Sequence, residues 1–278
     1  MGDESEAFSD YNIMVSFLFL IFIFGLLFGS FLNSLIYRLE EGLPFPWWRS
    51  FCPKCRHTLN WLDLIPIFSF LFLKGRCRYC EQKISWQYPL VELATGVLFV
   101  FTIYKFYPIQ LGDFFTVGYW LLATSFLIVI FVYDLKHYII PDKIVYPAIV
   151  LSFIYQLFVI WNFGDWDLFG TWSLGFGILP SLFFLGIILL SREKWMGMGD
   201  FKLAILMGLI LGWPNILVAL FLAFFIGAII GIGLVLFRKK TLKSEVPFAP
   251  FLISGTFIAI FFGEAIINWY FSLLCWSC

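Results

Sequence analysis

The sequence predicts an all-α polytopic membrane protein of about eight transmembrane helices that carries a cytoplasmic four-cysteine, zinc-binding loop domain. Three observations predict it. Hydrophobic residues make up 62% of the 278 positions, aromatic residues 22% and charged residues only 13%, a balance far too apolar for a soluble domain of this length. Apolar runs recur eight times along the chain. The one long polar interval, residues 38–87, contains two Cys-x-x-Cys pairs.

The runs occupy residues 13–37, 88–104, 114–133, 144–161, 172–190, 201–213, 216–237 and 247–267. Most reach the ~20 residues with which a helix crosses ~30 Å of hydrocarbon. They divide the chain into a tail with the first helix (1–37), a loop domain (38–87) and a membrane core (88–278). The first run has no early positive flank and no small-residue cleavage site, so it is expected to remain as a helix and not to be removed as a signal peptide.

Sidedness follows from the basic residues. Seventeen of the 18 Lys and Arg residues fall in the loops after the first, third, fifth and seventh runs, and Lys105 alone lies on the other side. Because Lys and Arg accumulate in cytoplasmic loops, the loop domain is expected in the cytoplasm and both termini away from it. The acidic tail (Asp3, Glu4, Glu6, Asp10) agrees. The expected surroundings are membrane lipid, with no nucleic-acid partner; the sequence leaves the oligomeric state open.

The sixth run is the exception. Its 13 residues make ~20 Å of helix, too short to cross alone. The expected solution is that Gly197 to Asp200 dips below the cytoplasmic surface as irregular backbone, which is tolerated where protein or a watery cavity covers it.

In the loop domain, Cys52-Pro53-Lys54-Cys55 and Cys77-Arg78-Tyr79-Cys80 are separated by 21 residues. Two such knuckles can supply four thiolates to one tetrahedral Zn²⁺, with no open position and therefore a structural role. Reduced thiols or disulfides are the alternatives, and a cytoplasmic location disfavours disulfides. A third pair, Cys275-Trp276-Ser277-Cys278, is open to either a strained disulfide or two free thiols.

Two carboxylates stand at the cytoplasmic ends of apolar runs. Asp134 lies in Tyr133-Asp134-Leu135-Lys136-His137-Tyr138-Ile139-Ile140-Pro141-Asp142, and Asp200 closes Gly197-Met198-Gly199-Asp200-Phe201-Lys202. A charged carboxylate near hydrocarbon is costly, so by default it suggests function. If the two meet across a helix bundle they form a proton-sharing acid/base pair. The bland alternative pairs Asp134 with Lys136 or Lys143, and Asp200 with Lys202.

Taken together, these segments resemble one family. Phe28-Gly29-Ser30-Phe31-Leu32-Asn33-Ser34-Leu35-Ile36-Tyr37-Arg38-Leu39, the paired knuckles, Asp63-Leu64-Ile65-Pro66, Gly75-Arg76-Cys77, Tyr88-Pro89-Leu90-Val91-Glu92-Leu93, the Asp134 motif and Gly-x-Gly-Asp resemble the type IV prepilin peptidases, in order and over nearly the whole chain. Val246-Pro247-Phe248-Ala249-Pro250-Phe251 resembles that family's Pro-Phe-Gly-Pro segment, with Ala249 where glycine is usual.

The resemblance implies a bifunctional enzyme of the bacterial inner membrane. It would cut the leader of a prepilin or pseudopilin after a glycine, at the cytoplasmic face, and then methylate the new N-terminus with S-adenosylmethionine. It puts catalysis on Asp134 and Asp200, with Asp142, Gly197, Gly199 and Lys202 in support. Residues 88–278 would be the peptidase core. Which aspartate is the resting base is not readable from sequence.

The methyltransferase half rests on the resemblance alone, since the chain has no glycine-rich dinucleotide fingerprint. Gly29, Asn33, Arg38 and Glu92 are its candidates. Each also has an architectural reading: close helix packing for Gly29, an interhelical hydrogen bond for Asn33, a span anchor for Arg38, an ion pair with the loop for Glu92. A peptidase without methyl transfer is the near alternative. A proton-coupled transporter is the distant one, although internal repeats and mid-membrane sites are missing from the sequence.

Overall fold

The computed structural model describes residues 2–43, 50–105, 114–163, 168–192, 196–236 and 246–275. The described residues form helices, without named strands; their β-pairing is limited to the isolated bridges Phe51–Thr58 and Arg76–Lys83. In chain order the helices are α1 (Gly2–Glu40), α2 (Phe68–Phe72), α3 (Gln87–Lys105), α4 (Phe114–His137), α5 (Asp142–Phe163), α6 (Leu168–Ser191), α7 (Met198–Leu211), α8 (Asn215–Leu236) and α9 (Ala249–Cys275), with a 3₁₀ turn at Trp61–Leu64. Each apolar run coincides with one of α1 and α3–α9.

Six of these, α1, α3, α4, α5, α8 and α9, are long and apolar enough to cross a membrane. The chain is thus a multi-pass membrane protein. The side chains of α6 are described continuously only from Gly177, and Gly177–Ser191 is apolar throughout. Helix α1 begins at Gly2, well before the first run, so the acidic tail is helical too. Cys278 and the side chain of Cys275 lie outside the described residues.

The chain forms two compact units, Met1–Ile128 and Val129–Cys278, whose boundary falls within α4. The first is organised by α1 against α3. Gly25 and Gly29, one turn apart on α1, bring the backbones together: a Cβ on Gly25 would lie 2.7 Å from the Cα of Gly96, and one on Gly29 2.7 Å from the Cα of Glu92. Small residues at this spacing drive close helix approach in lipid, where burial of apolar surface gives no net gain.

In the second unit α7 is central, packing on α5, α6, α8 and α9. It has 14 residues, and Leu203, Ala204, Leu206, Met207, Leu209 and Ile210 are all buried. Its shortness follows from its position: a helix walled in by protein need not match the bilayer's thickness. Gly208 lets α7 touch α6, since a Cβ there would overlap the carbonyl oxygen of Gly177. The helix ends at Gly212, whose φ of 63° is the left-handed conformation that glycine takes without strain. Near that end, Gln156 Nε2 on α5 donates to the Leu209 carbonyl at 2.7 Å, satisfying an orphaned helix-end acceptor.

Contrary to expectation, the backbone from Gly197 to Asp200 is not irregular. Met198, Gly199 and Asp200 are already helical, and only Gly197, at φ −80° and ψ 154°, is extended.

If Gly29 serves packing, Gly25→Val and Gly29→Val should each lower the unfolding midpoint in detergent, at a cost of about 1–3 kcal/mol. Gly231→Val on α8, where a Cβ meets nothing within 4 Å, should leave it unchanged.

Candidate functional site

Asp134 occupies the last turn of α4 and is only 4% exposed. Helix α4 ends at His137, and Tyr138 follows in the left-handed region at φ 58°, its N–H bonded to the Asp134 carbonyl at 2.9 Å. This reverses the chain through Ile140 and Pro141 into α5, which opens at Asp142. Asp200 sits in the first turn of α7.

Both carboxylates are held by helix-end amides. The Ala249 N–H, at the start of α9, donates to Asp134, and the Gly197 N–H donates to Asp200. Asp134 Oδ2 is buried without a hydrogen-bond partner. The two side chains are electrostatically coupled, the charge of Asp134 acting on Asp200. Helix N-termini carry a partial positive charge and spare N–H groups, so they stabilise an anion without a buried cation.

The ion pair that would have made Asp200 bland is arranged otherwise. Lys202 binds Asp142, Nζ to Oδ1 at 2.6 Å, and lies 4.9 Å from the centre of the Tyr146 ring. Asp142 is therefore brought to Lys202, the residue two beyond Asp200, and the link ties the start of α7 to the first turns of α5. Gly199 has a steric reason: a Cβ there would stand 3.1 Å from Ile140 Cβ, where α7 abuts the turn after α4. Gly197 meets only its own neighbour and carries no such constraint.

Sequence reasoning missed the role of Ala249. Pro247 and Pro250 around it mark a helix start, but the distant acceptor of its N–H is not encoded in any local pattern.

The four cysteines converge. The Sγ atoms of Cys52, Cys55, Cys77 and Cys80 lie within 4.8 Å of one another, with Cys52 and Cys80 at 3.9 Å. Tetrahedral Zn–S bonds of ~2.3 Å imply S–S edges of ~3.8 Å, so the cluster could hold a metal of that size. As thiols they crowd one another: the Gln82 backbone pulls Cys80 down, yet desolvation and hydrogen bonding with Cys77, Cys55 and Cys52 push it up to about 11. A cation would relieve that conflict by binding the thiolates.

The two knuckles repeat each other at an offset of 25 residues. In each, the first cysteine's N–H bonds the carbonyl five residues on (Cys52 to His57, 3.0 Å; Cys77 to Gln82, 2.9 Å), and the residue four beyond the first cysteine, Arg56 or Glu81, is left-handed at φ 56° or 54°. Asp63 braces the second knuckle through an ion pair, Arg78 Nε to Oδ1 at 2.9 Å, and its Oδ2 accepts the Asn60 N–H at 3.1 Å.

The four methyltransferase candidates lie in the first unit. Asn33, 2% exposed, donates from Nδ2 to the Tyr88 carbonyl at 3.0 Å, while its Oδ1 is buried and has no hydrogen-bond partner. Arg38 is buried in the last turn of α1. Glu92 accepts the Ile67 N–H at 2.8 Å and a hydrogen bond from Ser30, so it joins the loop, α1 and α3 through neutral donors and not through the expected basic residue. Gly29 has the packing role described above.

Comparison with known proteins bears on all of this. A model described as the bacterial peptidase A24 N-terminal domain matches residues 23–106, and one described as the type IV leader peptidase family matches residues 121–232. The chain is 34% identical to the prepilin leader peptidase/N-methyltransferase of Aeromonas salmonicida (strain A449), over 92% of this chain and 94% of that protein. It belongs to the type IV leader peptidase family. The proteins of the same name from Bacillus subtilis (strain 168) and Pseudomonas aeruginosa are 34% and 31% identical, covering 91% and 92% of this chain and 98% and 94% of theirs. No solved structure matches significantly. As a leader peptidase family member the chain is an enzyme, a membrane peptidase, and its relatives' names add an N-methyltransferase activity.

Arg56→Gly and Glu81→Gly should leave the knuckles as stable or up to about 1 kcal/mol more stable, because relief of ~1–2 kcal/mol of left-handed strain is partly offset by glycine's larger chain entropy. Equal or slower reaction of the four cysteines with a thiol reagent is the measurable outcome.

Proposed function

We propose that this protein cuts the leader from type IV prepilins or pseudopilins after a glycine, at the cytoplasmic face of the bacterial inner membrane, and then methylates the new N-terminus using S-adenosylmethionine. The peptidase half is carried by one observation: two coupled carboxylates, each held by a helix-end N–H, in a chain of this family. The basic residues of the odd-numbered loops support the sidedness.

In the mechanism, Asp134 and Asp200 share one proton, because two adjacent carboxylates do not both ionise cheaply. The ionised member takes a proton from water as the oxygen attacks the scissile carbonyl. The protonated member hydrogen-bonds the carbonyl oxygen, and the leaving amine is protonated from the pair. The α9 N-terminus keeps Asp134 oriented. Asp142 and Lys202 are positioning residues that hold the first turn of α7.

Zinc is the metal we assign to Cys52, Cys55, Cys77 and Cys80. Four thiolates fill its tetrahedral shell, so its contribution is to fold a loop too small to build its own core. For methyl transfer, S-adenosylmethionine supplies an electrophilic methyl group when bound. The spare acceptor Asn33 Oδ1 supports a polar site in the first unit, able to take an N–H from the donor or the incoming amine. Gly29 and Glu92 contribute through architecture.

Asp134→Asn and Asp200→Asn should each lower cleavage of a leader-bearing pilin by at least about 10²–10⁴-fold, the range for loss of an acid/base group. Asp142→Asn should cost far less, up to about 1 kcal/mol or five-fold, since the Asp142 side chain is 58% exposed. Mass spectra of the products after incubation with purified enzyme and methyl donor measure both activities; full cleavage by either Asp134→Asn or Asp200→Asn would refute the pair.

The two activities should also separate. Asp200→Asn should still methylate a precut pilin, whereas Asn33→Ala should reduce methylation by about 10-fold or more, as loss of a buried acceptor worth ~1–3 kcal/mol implies, with cleavage little changed. Wild-type enzyme that never methylates a precut pilin would leave a peptidase alone. Elemental analysis should find about one zinc per chain, lost in any of the four Cys→Ser variants.

A further inference from the structure

The polar loop between α1 and α3 contains an apolar surface that its own core does not use. Helix α2 buries Phe70 against Trp86, ring centres 4.9 Å apart, and turns Phe68, Leu71 and Phe72 outward. Phe72 is 83% exposed, Trp61 71% and Trp86 69%. In a loop surrounded by water these side chains would be a costly patch.

The depth of α2 resolves the difficulty. Ile67, its N-cap, is bonded to Glu92 Oε2 at 2.8 Å. Glu92 lies five residues beyond the first residue of α3, ~7.5 Å along that span, so α2 starts beside the second turn of a membrane helix and not above its end. Trp86 accepts the first helical bond of α3, from Leu90 N–H at 3.2 Å, and sits on the face that continues through the exposed Leu90, Leu93 and Val97. In a membrane span, that exposed face is the one available to lipid. Trp86, packed on α2 through Phe70, joins the exposed rings of the loop to it.

Charge agrees with that position. No acidic residue occurs between Asp63 and Glu81, while Lys74 and Arg76, just past α2, are exposed. Aromatic side chains flanked by Lys and Arg are the composition that settles at the boundary of headgroups and acyl chains.

We propose that α2, with Trp61 and Trp86, is an interfacial anchor: it inserts the outward face of Phe68, Leu71 and Phe72 into the lipid boundary on the loop's side of the membrane, with Lys74 and Arg76 on anionic headgroups. The metal-binding knuckles are thereby held against the bilayer surface. This placement depends on the chain's spanning the membrane and not on the chemistry assigned to the aspartates.

The test uses the full-length protein in nanodiscs containing a lipid with a photoactivatable group near its ester linkages, followed by peptide mapping. Residues 68–72 should take up lipid adducts alongside the Leu90 segment of α3, and more when phosphatidylglycerol is mixed into phosphatidylcholine. A Leu71→Glu/Phe72→Glu variant should lose the adducts on 68–72 and keep those on α3. Adducts confined to α3 in the wild type would overturn the proposal. So would adducts on α2 that vanish, replaced by a protein cross-link, when a leader-bearing pilin or a second copy of the chain occupies the surface.

Discussion

The second unit depends on holding carboxylates among apolar helices by backbone N–H groups. Asp134 ends one helix and receives an N–H from the start of another, α9, while Asp200 lies in the first turn of α7 and receives an N–H from its N-cap residue. Helix termini suit this task because their donors are already orphaned and their dipoles favour negative charge. A lysine paired with either carboxylate would instead hold it ionised. Lys202, two residues beyond Asp200, is committed to Asp142 and Tyr146.

The helix packing serves that arrangement. The contact of Gly199 with Ile140 sets the start of α7 against the turn that follows Asp134, and the approach of Gly208 to Gly177 fixes the helix further along. Because neighbours surround it, α7 needs only 14 residues. The first unit solves a different problem: a short loop must hold its shape with little core of its own. It does so with two knuckles of identical backbone geometry, the Asp63 brace, and the bond from Glu92 that fastens Ile67 to α3. The residues for the two proposed reactions fall in different units, which is the physical basis for expecting them to be separable.

Much of the fold was legible in the sequence because lipid imposes a simple rule: a span must be apolar and helical, and every one of the eight runs met that requirement. The convergence of the four cysteines was legible for a similar reason, since Cys-x-x-Cys spacing within a knuckle is local. The two aspartates stood out by being acidic in apolar surroundings. Less of the detail could be read. The left-handed Arg56 and Glu81 carry no glycine to announce them, and Glu92, given a choice between cofactor chemistry and an ion pair, accepts a backbone N–H instead.

By itself, then, the sequence determined the class, the helices, the cysteines that cluster and which carboxylates to suspect, because hydrophobicity, cysteine spacing and charge in lipid are properties of short segments. Only the tertiary structure decided that α7 is helical from Met198, that Lys202 faces Asp142, that the Ala249 N–H reaches Asp134, and that α2 lies beside the second turn of α3. Each of these is a meeting of residues distant in sequence, or depends on one, and the partner of a polar group in a bundle is chosen by how the helices pack and not by the residues beside it.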